Sequence, residues 1–157
     1  GRRFRYHQES FAGVSFAGAD LSQAQLRGAP LSGMDFRGAR LDGADFAEAD
    51  LSRAILTDAT ARRANFARAD LHFADLQHLA AEGASFNFAD LHGARMKGAN
   101  LAGAQMREVN LQNAVAVDLV LAGANLRGAR LFEAILPGAD LSEADLRGAL
   151  LERTVFT

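Results

Sequence analysis

A large apolar residue recurs at every fifth position along almost the whole chain. From Phe11 the series runs through Phe16, Leu21, Leu26, Leu31, Phe36, Leu41, Phe46, Leu51 and Leu56, and continues to Leu141, Leu146, Leu151 and Phe156. Only Ala61, Ala81 and Ala116 are small. Two residues before each of these positions, except at Phe11 and Phe156 at the two ends of the series, stands a second apolar residue, nearly always alanine, as at Ala19, Ala24, Ala39 and Ala149. Glycine recurs two residues after it, as at Gly28, Gly38, Gly98 and Gly128. With the large residue called i, each unit reads alanine, polar, Leu or Phe, polar, Gly or polar. A strict short period of this kind is the mark of a solenoid.

An α-helix turns about 100° per residue, so a step of five displaces the large residue by about 140° and leaves no apolar stripe. Glycine in about half of the units would cost such a helix about 1 kcal/mol each time. In extended chain, i-2 and i face one way and i-1 the other. Positions i+1 and i+2 must then both face outward, which requires a corner, and glycine suits one. One short side and one turn per five residues describes a polygonal coil.

Stacked coils place like beside like. Phe46, Phe66 and Phe86 are spaced by twenty, as are Ala61 and Ala81, Asp50, Asp70 and Asp90, His72 and His92, and Val115, Ile135 and Val155. This spacing implies four units per coil. The register does not slip between Phe11 and Phe156, which predicts an all-β, four-sided parallel β-helix of about seven coils with no inserted loop. At about 4.8 Å between neighbouring strands, the rod would be roughly 35 Å long. Residues 1–10 are read as a lead-in and first partial coil, with Phe4 and Tyr6 keeping the i-2 and i spacing, and 11–157 as one repeat domain.

The 157 residues carry 17 basic and 19 acidic side chains, a net charge of -2, so the chain is not a polycation built for phosphate backbones. Direct nucleic-acid binding is not expected. There is no cysteine, which removes disulfides and thiolate chemistry. No apolar run approaches the roughly 18 residues that span a bilayer, and the arginine-rich start is not followed by the apolar stretch of a signal peptide. A cytoplasmic location without membrane contact is the expectation. The sequence contains no G-x-S-x-G, Walker, G-x-G-x-x-G or H-E-x-x-H motif, so neither an enzyme nor a cofactor is expected.

Units such as Ala19-Asp20-Leu21-Ser22, Ala49-Asp50-Leu51-Ser52, Ala99-Asn100-Leu101-Ala102 and Ala139-Asp140-Leu141-Ser142 resemble the A(D/N)LXX consensus of the pentapeptide-repeat family. The resemblance covers Phe11 to Phe156. It implies a right-handed quadrilateral β-helix with i and i-2 inside, and a bacterial origin. The gyrase-protecting, quinolone-resistance members of the family resemble duplex DNA in shape and charge and dimerise through their C-terminal ends. Likeness to them implies a non-enzymatic protein whose partner is DNA gyrase or topoisomerase IV, and a homodimer through the C-terminal coils. This chain departs from that subgroup: it has no projecting loops, is barely acidic and shows no C-terminal dimerisation helix. The alternative is a structural or protein-interaction module of a larger scaffold or effector.

Two rows of outward residues are candidate sites. Asp50, Asp70 and Asp90, at i-1 in three consecutive coils, form the nearest approach to a phosphate-like ladder. Stacked about 4.8 Å apart, they are sparser than duplex DNA charge at one per ~1.7 Å. The row continues into Asn110 and Arg130, and arginines 53, 62, 63 and 68 are expected close by. The second row, Val115, Ile135 and Val155, with Val117 and Pro137 beside it and Phe132 at the adjoining corner, exposes apolar side chains as contact surfaces do. His72 and His92, next to Asp70 and Asp90, lack a third convergent ligand and read as solvated surface residues, so no metal is expected. In the core, Ala61 and Ala81 leave room that the phenylalanines of the next face are placed to fill, while Leu79 and Leu119, large where alanine is usual, are expected to bulge their sides. The last coil needs a cover for Leu141, Leu146 and Leu151, either an end-to-end dimer or further chain.

Overall fold

The computed structural model describes Phe11 and residues 14–157, so the lead-in expected over residues 1–10 lies outside the described residues. Every i-1 residue from Asp20 to Ile135 is joined by a parallel bridge to the residue twenty positions on, as in Asp20↔Arg40, Arg40↔Thr60 and Ile135↔Val155. A coil is therefore twenty residues and four sides. We number the faces by their inward residues: face I carries Leu21, Leu41, Ala61 and Ala81, face II Leu26, Phe46, Phe66 and Phe86, face III Leu31, Leu51, Leu71 and Leu91, and face IV Phe36, Leu56, Leu76 and Met96.

Each side is held from both directions. The Leu21 N–H donates to the Arg40 carbonyl of the next coil at 2.7 Å, and the Arg40 N–H returns a bond to the Ala19 carbonyl at 2.9 Å. The corner closes with the Ala24 N–H donating to the Leu21 carbonyl at 2.9 Å. With two of five residues spent on the turn, a side retains a single bridged residue. Its ladder is a column of isolated bridges, without the multi-residue strands of an ordinary sheet.

The corner explains the glycines. The i+2 residue has a positive φ at every corner from Gly18 to Arg153, as the third position of a type II turn demands. At Gly28 and Gly103 a Cβ would meet nothing within 4 Å, so backbone conformation alone favours glycine there. Residues such as Arg63 at φ 54° and Phe73 at φ 56° hold the same left-handed conformation against its steric cost.

The core is a column of i and i-2 side chains, enclosed from Leu26 to Leu136 except for the half-buried Met34. Phe46, Phe66 and Phe86 stack through three coils of face II, with ring centroids 5.1 and 4.8 Å apart and planes within 3° and 10° of parallel. They stand beside the small Ala61 and Ala81 of face I, as volume compensation requires. The bulges expected at Leu79 and Leu119 do not occur. Both are buried, and the Asn100 N–H reaches the Leu79 carbonyl at 2.8 Å and the Asp140 N–H the Leu119 carbonyl at 2.9 Å, ordinary ladder lengths. Each leucine has a small buried inward neighbour along the chain, Ala81 two residues after Leu79 and Ala116 three residues before Leu119, consistent with close packing of the core.

Candidate interaction site

Face III places the aspartate row as its spacing predicts, with Asp50 bridged to Asp70 and Asp70 to Asp90, then Asn110 and Arg130. The structure adds what each carboxylate does. Asp50 Oδ1 accepts the Ser52 N–H at 3.0 Å, Asp70 Oδ1 the His72 N–H at 3.1 Å, and Asp90 Oδ1 the His92 N–H at 2.9 Å. Asn65, Asn100, Asn110 and Asn125 cap their corners in the same way without charge. Aspartate at i-1 is thus a turn-forming residue first, satisfying a backbone donor that the corner leaves without a ladder partner.

The arginines expected around this row separate. Arg53 and Arg68 occupy the corners that flank face III, and Arg68 lies over the Phe88 ring at 4.9 Å. Arg62 and Arg63 stand at the corner of faces I and II, a full face away. There they line a depression of about 450 Å³ with Asp42 and Glu82, and Arg62 pairs with Glu82 at 3.4 Å. A twenty-residue coil puts residues ten apart in sequence on opposite sides, which closeness in sequence conceals.

His72 and His92 lie on consecutive coils, but Phe73 stands between them, its ring 5.6 Å from one imidazole and 5.3 Å from the other, both edge-on. Among the described residues no group of three His, Cys, Asp or Glu side chains converges to hold a metal. Phe73 and Phe88 escaped the sequence reading. They are 52 % and 44 % exposed, at corner positions where polar residues or glycine prevail. The available signal was a large apolar residue at i+2.

Face IV carries the second row. Val115, Ile135 and Val155 are bridged in register and exposed by 41, 43 and 43 %. Val117 is half-buried beside them. Phe132, at the corner, is also half-buried, with the Arg153 guanidinium 5.6 Å from its ring centroid. Lower on the same face the outward positions hold Asp35, Ile55, Asp75 and Arg95, so the unbroken apolar run is confined to the C-terminal coils. Among the described residues no helix is long and apolar enough to cross a membrane.

A four-sided coil with an apolar column inside and regular rows of outward side chains defines a solenoid repeat protein. The pentapeptide-repeat sequence profile matches residues 10–43, 44–78, 84–116 and 110–148, in eight copies, and the chain belongs to the pentapeptide-repeat family, whose members fold as right-handed quadrilateral β-helices and serve generally as non-enzymatic structural or interaction modules. HetL, a pentapeptide-repeat protein involved in heterocyst differentiation regulation from the cyanobacterium Nostoc sp. strain PCC 7120, is 33 % identical over 89 % of this chain and 69 % of its own, with a TM-score of 0.34. The plasmid-mediated fluoroquinolone resistance protein QnrB1 is 20 % identical over 92 % of this chain and 87 % of its own, with a TM-score of 0.55. A pentapeptide-repeat protein of the Arabidopsis thaliana thylakoid lumen is 28 % identical over 79 % and 62 %, with a TM-score of 0.27. Comparison with curated proteins finds no match.

Proposed function

We propose that the chain is a non-enzymatic protein-binding rod whose contact surface is face IV of the C-terminal coils, Val115, Ile135 and Val155 with Val117 and Phe132, and whose partner there is a second copy of itself. The apolar run over three consecutive bridged rungs carries this reading. A flat, in-register row is self-complementary across a two-fold axis, the commonest symmetry of soluble oligomers, and two such faces pack at about 10 Å like the layers of a sandwich. Stable interfaces bury about 800 Å² per partner. Three half-exposed side chains supply only a fraction of that, so the dimer is weak and forms with rising concentration. Light scattering tests it: Ile135→Arg places a charge in the middle of the row and shifts the mass to monomer, and an unchanged mass rules this surface out.

A second reading rests on face III. Asp50, Asp70 and Asp90 form a three-carboxylate row on a fold shared with QnrB1, and in this reading the row binds DNA gyrase or topoisomerase IV in place of DNA and protects it from inhibitors. The purified chain then alters gyrase supercoiling or relieves quinolone poisoning. If it does neither, this reading is lost.

A further inference from the structure

Three features stand outside these readings: the charge-lined depression of faces I and II, the exposed pair Phe73 and Phe88, and a cluster of arginines near the C-terminal end of the rod. The first is balanced, since Arg62 and Arg63 face Asp42 and Glu82 across it. The phenylalanines are already occupied by neighbours, Phe73 by two imidazoles and Phe88 by Arg68. The arginine cluster is not balanced.

At the corner of faces II and III, Arg107, Arg127 and Arg147 occupy the i+1 position of three consecutive coils. Neighbouring rungs of such a row are about 4.8 Å apart. Arg130 projects from face III beside them. The four guanidinium groups line one depression of about 430 Å³ with Glu108, Gly128, Gly148 and Leu150. Glu108 is the one carboxylate in that lining. Arg147 is held by Asp145, donating from Nη2 to Oδ2 at 2.6 Å and from Nε to Oδ1 at 2.9 Å. Arg107, Arg127 and Arg130 make no ion pair among the described residues, on a chain whose overall charge is negative. Gly128 and Gly148 open the floor. At Gly128 a Cβ would stand 3.1 Å from the Glu108 Cγ, so a side chain there would crowd the site.

We infer that this cluster is a binding site for a compact oligophosphate chain, of the di- or triphosphate class. Guanidinium groups bind phosphate oxygens in paired, charge-assisted hydrogen bonds. Three without a salt bridge, Arg127 still feeling the Asp145 charge, stand around a shallow basin and address a dense anion whose charges lie a few ångströms apart. A single phosphate engages one or two of them and an oligophosphate engages all three. Glu108 opposes the anion and sets a ceiling on affinity. The site is solvent-exposed, so binding weakens steeply with ionic strength.

The experiment is calorimetric titration of the full chain with inorganic triphosphate at low salt, beside orthophosphate, sulfate and ATP. Triphosphate is expected to bind at least tenfold more tightly than orthophosphate or sulfate. The double variant Arg107→Gln, Arg127→Gln is expected to lose tenfold or more, Glu108→Gln to gain several-fold, and Arg62→Gln, Arg63→Gln at the balanced depression to leave affinity unchanged. All these side chains lie on the surface, and circular dichroism verifies that each variant keeps the wild-type fold. ATP binding as tightly as triphosphate makes the phosphate chain the whole determinant, and tighter ATP binding identifies a nucleotide as the source; both sustain the site. No heat with triphosphate, equal binding of sulfate, or an affinity indifferent to Arg107 and Arg127 overturns it.

Discussion

Phe66 is the centre of the face II stack, with Phe46 at 5.1 Å on one side and Phe86 at 4.8 Å on the other, and is completely enclosed. Replacing it with alanine removes a ring from between two others, at the height where face I offers only Ala61 and Ala81. Neither alanine can reach across to fill the void, and both flanking rings belong to coils held by their own ladders. Truncation of a buried phenylalanine costs about 3 to 5 kcal/mol, depending on how far the site collapses. The loss here should lie in the upper half of that range, because two ring contacts vanish, each worth about 0.5 to 1.5 kcal/mol beyond area. Phe66→Leu keeps most of the volume but loses both ring contacts, and should cost about 1 to 3 kcal/mol, less than Phe66→Ala. Urea unfolding followed by far-ultraviolet circular dichroism measures both. A Phe66→Ala loss below about 1.5 kcal/mol, or one equal to that of Phe66→Leu, would refute the argument that the stack fills volume vacated by face I.

Asp70→Asn should cost well under 1 kcal/mol, as native Asn110 caps its own corner and an amide oxygen still accepts from the His72 ring, whereas Asp70→Ala, which loses both the corner bond and the His72 contact, should cost about 1 to 2 kcal/mol of the same urea-measured stability. The asparagine variant also separates turn from charge, since a gyrase effect that survives it does not depend on the carboxylate. Arg63→Gly should stabilise by about 0.5 to 1 kcal/mol, the left-handed cost relieved exceeding the backbone entropy glycine adds; a lower urea midpoint would contradict this. The carboxyls of Asp35 and Asp145 are lowered to about 2, first by the side-chain hydrogen bonds of Arg37 and Arg147 and then by the backbone N–H of the same residues. Folded values below the ordinary 3.8 mean that this stabilisation is present above pH 3.8 and lost as pH falls towards 2. Both carboxylates are half-buried at the surface and their arginine partners are exposed and screened by solvent, so the loss is small, and NMR titration of the two carboxyls reads it directly.

The interior of this protein was legible from its letters. A period of five with alanine at i-2 leaves one way to separate apolar from polar side chains, and spacings of twenty between like residues set the coil. That logic placed Phe46, Phe66 and Phe86 in one stack and Val115, Ile135 and Val155 in one row. It went wrong where it treated each position alone. Leu79 and Leu119 do not deform their sides, and each has a small buried neighbour close by in the chain, Ala81 and Ala116. Arg62 and Arg63 lie a face away from the aspartates, because four corners rotate the chain through a full turn every twenty residues. Period governs which way a side chain points, since backbone geometry repeats with it. Only the stacked coils decide what that side chain touches. In them Asp70 spends an oxygen on the corner, Phe73 parts two histidines, and Arg107, Arg127 and Arg130 gather from three separate units around one basin.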